Sequence, residues 1–143
     1  LWSRDPALIE DGEALLRKGR IERLAIANPE LAPYGAAARE ALQYVRRWDE
    51  LQPRLVLGEN VGQAAQFVTS GAAPLGLLPR SLVMEARKTR PGSAWEVPAR
   101  WHSPIVQSAV LLAHGKDNPA ARGFLAYLRS AQARTAIRGF GYD

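Results

Sequence analysis

Two hydrophobic periods alternate along the chain. Residues 24–27, 54–57 and 74–78 are short apolar runs of the kind that fills a sheet covered on both faces. Between them the apolar positions recur at helical spacing. Ala37, Ala41, Tyr44, Val45 and Trp48 form one such series, and Val61, Ala64, Ala65 and Val68 form another. The pattern therefore predicts strand, loop, helix, strand, turn, helix, strand from residue 24 to residue 78. Strands joined through a helix are expected to be parallel, with a right-handed crossover.

The punctuation agrees with this reading. Gly58-Glu59-Asn60 breaks the second apolar run, and Asn60 is a good N-cap, so Val61 becomes the first helical residue. Gly71 ends that helix. Residues 28–35 carry two prolines and a glycine and read as a loop, with the next helix starting near Tyr34 and Gly35. The first amides of a helix have no partner within it and lie at the positive end of its dipole. In open α/β sheets such starts lie at the carboxyl ends of the strands, where ligands bind. Two of them at one crevice favour an anion.

The flanking regions are less regular. Leu1-Trp2-Ser3 reads as the tail of a strand with partners upstream. Asp5-Pro6 opens a short helix with Leu8 and Ile9, and Ala14, Leu15 and Leu16 form a further helical turn before Gly19. Residues 81–87 are expected to be a short helix and residues 88–101 irregular. Residues 105–113 are apolar enough for a long strand opened by Pro104. Asn118-Pro119 is a strong helix opening, with Ala121, Phe124, Leu125 and Leu128 as its apolar face. Ser130 caps a final helix through Ile137, closed by Gly139.

Composition narrows the function classes. With 143 residues the chain can bury one core, or most of one lobe of a larger protein. A hydrophobic share of 47% and a charged share of 23% are ordinary for a globular protein. No apolar run reaches the length of a membrane span. The net charge of +5 implies a mild attraction for anions. The charges are scattered, however, with Arg46-Arg47 and Arg87-Lys88-Thr89-Arg90 the densest groups. No basic stripe or nucleic-acid motif accompanies them, so no nucleic acid partner is expected. The absence of cysteine excludes disulfides and thiolate chemistry. The chain opens at Leu1 rather than methionine and has no signal peptide, so it is expected to be a fragment or a processed product.

Catalytic signals are weak. His102 and His114 lack metal-ligand spacing. Ser70, Ser81, Ser103 and Ser108 have no nucleophile-elbow context. Glu59 and Glu85 are not singled out as a carboxylate pair. No Gly-rich or GxxxxGK phosphate loop is present. Trp48, Trp95 and Trp101 are assigned to packing rather than ligand stacking.

Three segments together resemble the periplasmic molybdate-binding proteins of ABC transporters: IANPELAPYGAAAREAL, RLVLGENVGQAAQFVTSGAAPLGLLPRSLV and FLAYLRSAQARTAIRGFGYD. The resemblance covers nearly the whole chain. It implies an α/β fold, a type II periplasmic-binding-protein-like lobe with a parallel-rich sheet flanked by helices, with the first lobe largely missing. It also implies a non-enzymatic role: capture of molybdate or tungstate in the periplasm for delivery to a membrane permease, with no cofactor. The oxyanion would be held by neutral donors, with no metal bound directly except through the oxyanion's own oxygens. Tyr34 and Val61 match the family's donor positions in this lobe. Some members add a tyrosine hydroxyl at the position of Pro79, which proline does not supply.

The same resemblance divides the chain into residues 1–20, connecting from the missing lobe; residues 21–104, the second-lobe α/β domain; and residues 105–143, a return strand and C-terminal helices that would pack towards the first lobe. An apolar face left there would favour self-association, and ligand binding would be weaker than in a complete protein. Three other readings remain: the effector domain of a transcriptional regulator with this fold, a binder of another oxyanion such as sulfate, and an enzyme on the same scaffold.

Overall fold

The apolar runs become neighbours in one five-stranded sheet in the order β3-β2-β4-β1-β5. The strands are β1 (Trp2–Ser3), β2 (Leu24–Ala27), β3 (Leu55–Gly58), β4 (Leu75–Gly76) and β5 (Ser93–Ala94). The computed structural model describes residues 1–142. It comprises two units, Leu1–Ile105 and Val106–Asp143.

In the first unit β2 runs parallel to both β3 and β4. The register aligns Leu24 with both Leu55 and Leu75. Helix α2 (Pro33–Tyr44) and the short α3 (Trp48–Leu51) connect β2 to β3, and α4 (Val61–Ser70) connects β3 to β4. The chain steps one way along the sheet from β2 to β3 and then back past β2 to β4. Parallel crossovers keep one hand, so reversing the step must move the helix to the other face. The packing follows this rule. Leu24, Ile26, Leu75 and Leu77 pack with Ala38, Ala41 and Leu42 of α2 and with Leu16 of α1 (Gly12–Lys18). Ala25 and Trp2 pack with Val68 of α4, and with Val83 and Ala86 of α5 (Arg80–Thr89), on the opposite face.

Local chemistry explains the helix ends. Asp11 caps α1 by accepting the Ala14 N–H at 2.9 Å. Gly71 closes α4 with φ 85°, a left-handed conformation that glycine adopts without a Cβ clash. Helix α2 stops at Tyr44, so Trp48 is not its continuation as the spacing predicts. Arg46 takes φ 60° and the Arg47 N–H returns to the Leu42 carbonyl, which turns the chain before Trp48 starts α3. The Arg47 side chain holds this corner. Its guanidinium reaches the carbonyls of Leu16 at 3.2 Å and Gly19 at 3.1 Å, and its other edge pairs with Glu50 at 2.5 Å. The pairing keeps the Glu50 carboxyl below its ordinary range.

Three expectations are corrected. The partners of β1 lie downstream, not upstream: Trp2 pairs antiparallel with Gly76 and with Ala94. The region 88–101 is accordingly not wholly irregular, since it contains β5. Leu1, Ile9 and Leu16 belong to the same buried cluster as Leu24. Asp5-Pro6 starts a turn and no helix. The Asp5 carboxylate accepts the Ala7 N–H, while Ser93 Oγ takes the Ile9 N–H at 3.1 Å and ends the turn.

The second unit corrects the expected strand over residues 105–113. Residues 105–112 have no regular structure, and Val106 and Val110 are each 79% exposed. Apolar content alone does not make a strand; a ladder partner is required, and no strand of the described residues pairs with this segment. Helices α6 (Pro119–Leu128) and α7 (Ala131–Gly139) form as their caps predict. Asn118 Oδ1 accepts the Ala120 N–H at 2.9 Å and Ser130 Oγ accepts the Ala133 N–H at 3.1 Å. Phe124, Tyr127 and Phe140 remain exposed.

Arg47→Met should destabilise the first unit by about 1–3 kcal/mol, because the buried Leu16 carbonyl and the half-buried Gly19 carbonyl lose their donor. Arg20→Ala, which removes an exposed pair with Glu22, should change stability little. Chemical denaturation of both variants checks the contrast.

Candidate functional site

The carboxyl ends of β2 and β3 are tied together one residue beyond the strands. The Asn28 N–H donates to the Gly58 carbonyl at 2.7 Å, continuing the ladder past Ala27. Each strand then enters its helix by a tight route. After β2, Asn28 Oδ1 accepts the Glu30 N–H at 2.9 Å and the Asn28 carbonyl accepts from Leu31 and Ala32. Pro33 opens α2, Tyr34 is its second residue, and the Gly35 and Ala36 amides donate to Ala32. Gly35 lies so close to the carbonyl of Ala27 that a Cβ would collide with it.

After β3 the route is tighter still. A Cβ on Gly58 would lie 2.6 Å from the Ala64 nitrogen, so glycine lets the first turn of α4 sit against the end of its own strand. Asn60 Oδ1 accepts the Gln63 N–H at 3.0 Å, and Gln63 Oε1 accepts the Glu59 N–H at 2.7 Å. This reciprocal cap resembles a capping box displaced by one residue. The Ala64 N–H makes the first intrahelical bond, to the Asn60 carbonyl at 3.1 Å. The cap thus occupies the Glu59 and Gln63 amides and leaves those of Val61 and Gly62 without a hydrogen-bond partner among the described residues. Both point from the positive end of the helix.

Tyr34 and Val61, the two residues expected from the sequence, therefore follow neighbouring parallel strands at one edge of the sheet. Their helices approach that edge from opposite faces. A third helix start lies there, that of the helix expected over residues 81–87. β4 is also parallel to β2, and Pro79 leads directly into α5. Its carbonyl accepts the Leu82 and Val83 amides. The Pro79-Arg80-Ser81 sequence carried that signal, since proline-led turns commonly open helices. Pro79 itself contributes neither N–H nor hydroxyl.

A groove of about 590 Å³ lies on the α2 side of β3, lined by Asn28, Glu30, Arg39, Trp48, Leu55 and Leu57 among others. It includes neither Tyr34 nor Val61. Its carboxylates are already engaged: Glu30 pairs with Arg39 at 2.6 Å and Glu40 accepts the Ser103 N–H at 2.5 Å. His102 has its Nδ1 2.8 Å from the Ser103 carbonyl. No group of three or more His, Cys, Asp or Glu side chains that could hold a metal ion exists among the described residues. No helix among them is long and apolar enough to cross a membrane. What the sheet edge offers chemically is a set of fixed, uncharged N–H dipoles.

The family described as bacterial extracellular solute-binding protein matches residues 1–143. The chain belongs to that family. It is 42% identical over 142 residues to the molybdate-binding protein ModA of Azotobacter vinelandii and also 42% identical to that of Rhodobacter capsulatus. Each alignment covers 99% of this chain but 56% and 55% of the respective relative. The chain thus spans little more than half the length of these relatives. Among solved structures, the Azotobacter vinelandii periplasmic molybdate-binding protein superposes with a TM-score of 0.87 at 34% identity, covering 99% of this chain and 62% of that one. The mixed sheet flanked by helices is therefore the fold found in part of that Azotobacter vinelandii protein.

Asn60→Ala should cost about 1 kcal/mol of stability by removing the cap, and Asn60→Asp markedly less. Urea unfolding of the two variants distinguishes them.

Proposed function

We propose that this chain contributes one side of a binding site for molybdate or tungstate, captured in the periplasm for an ABC permease. The observation that carries the proposal is the pair of unconsumed amides at Val61 and Gly62, at the same sheet edge as the start of α2. The 42% identity to molybdate-binding proteins gives this edge its candidate ligand. The Val61 amide donates to one oxygen of the dianion, and Tyr34 donates through its amide, its hydroxyl or both. No cofactor takes part. The site performs no bond-breaking step; it exchanges the hydration shell of the anion for fixed dipoles.

Selectivity then rests on size and donor count. A tetrahedral dianion with long metal–oxygen bonds fits donors that are spaced too widely for sulfate. Protonated phosphate species carry a hydroxyl that needs an acceptor, and a cradle built of donors leaves it unpaired. Because the chain spans 56% of its Azotobacter relative, further donors are expected from the portion of such a protein that it does not span. Molybdate binding by this chain alone should accordingly be much weaker than by a complete protein. The exposed Phe124, Tyr127 and Phe140 would meet other protein surface in a complete protein and favour self-association without it.

Val61→Pro is a selective probe. Proline is well tolerated as the first helical residue, and Asn60 already has the extended backbone (φ −148°, ψ 173°) that a following proline requires. The substitution deletes one N–H and spares the helix. Isothermal titration should show molybdate and tungstate affinity falling about tenfold to a hundredfold in Val61→Pro, with unchanged thermal stability. Tyr34→Phe separates the hydroxyl from the amide. Equal affinity for sulfate and molybdate, or an undiminished affinity in Val61→Pro, would overturn the reading.

A further inference from the structure

The first unit ends where its chain is fastened to α2. Trp101, in a 3-10 turn over Ala99–Trp101, is buried and stacks on Tyr44 near the end of α2, with ring centroids 5.3 Å apart. One turn earlier on α2, the Glu40 carboxylate accepts the Ser103 backbone N–H at 2.5 Å. Pro104 follows with its restricted φ, and Ile105 is the last residue of the unit. From there to Leu112 neither helix nor strand guides the backbone. The bonds at Ser103 are thus the last fixed hold before an irregular stretch.

We propose that Glu40 is a positioning residue that clasps this connector to α2 and sets the direction in which the chain leaves the first unit. The clasp ties that direction to the helix whose second residue is Tyr34. It operates whatever anion the site binds, so it stands or falls apart from the proposed ligand.

The clasp is strongest with an ionised carboxylate. The groups facing Glu40 are Arg39 on its own helix, itself paired with Glu30 at 2.6 Å, and His102 on the connector. The Ser103 backbone N–H first, and then its side chain, hold the Glu40 carboxyl below its ordinary range against the opposing effect of burial, with lesser contributions from His102 and Arg39. A depressed value means the clasp is complete above the ordinary carboxylate pKa. It is lost as pH falls through the lower, folded-state value.

The test is amide hydrogen exchange and heteronuclear nuclear Overhauser measurement on the ¹⁵N-labelled chain. In Glu40→Ala, protection of the Ser103 amide should fall about tenfold. The Overhauser values of Ser103 and Ile105 should drop, while the amides of β2 stay as they were. Glu40→Gln, which keeps an uncharged acceptor, should fall between the two and lose the sensitivity to acid that the natural chain shows at Ser103. Unchanged exchange and Overhauser values at Ser103 and Ile105 in Glu40→Ala would overturn the proposal. So would an equal loss of protection throughout the first unit, which would make Glu40 a determinant of the fold and not of the exit.

Discussion

The parallel pairing of β2 with β3 is the constraint from which the rest follows. It aligns Ala27 with Gly58, and the Asn28 N–H to Gly58 carbonyl bond extends it by one step. Both strands therefore release their chains at the same edge. Because the next crossover must return past β2 to reach β4, α4 is forced onto the face opposite α2. The two helix starts reach that edge from opposite sides of the sheet, and neither glycine beside them has room for a Cβ. Sheet topology, not any single residue, makes the edge rich in amide donors.

The electrostatics of that edge are those of dipoles. The α4 cap is neutral, built from Asn60 and Gln63. The nearby Arg39 is occupied by Glu30, and Arg80 at the start of α5 lies 3.5 Å from Glu96. A lysine or arginine in the cradle would attract any anion, sulfate and phosphate included. Oriented N–H groups reward only an anion whose oxygens meet them at hydrogen-bond distance. Their orientation is secured by the helix itself, so an anion meeting them would need little further ordering of the chain.

Much of this was legible in the residues, for local reasons. Asn60 before a helical series and Gly71 after it bound α4 because capping depends on the residue and its immediate neighbours. Leu24–Ala27 was readable because a strand covered on both faces is uniformly apolar. The failures were all non-local. Nothing near Trp2 reveals that its partners are Gly76 and Ala94. Val106 and Val110 have strand-forming character but no ladder to join. Trp48 continues the spacing of α2 although the left-handed Arg46 has already turned the chain. The placement of Tyr34 and Val61 after neighbouring strands was anticipated from repeated strand–loop–helix units, and the parallel β4 with a helix after it followed from the same pattern.

The position of β1 also constrains how the first unit is made. Trp2 is completely buried, in a strand held between β4 and β5, whose residues lie more than seventy positions further along the sequence. A chain emerging from the ribosome in order cannot close this sheet until Ser93 and Ala94 have been synthesised. Until then the outer edge of β1 stays open to water and to other chains. Such long-range closure slows folding. It leaves a window in which the nascent chain is still threadable, a useful property for any protein that must cross a membrane before it folds.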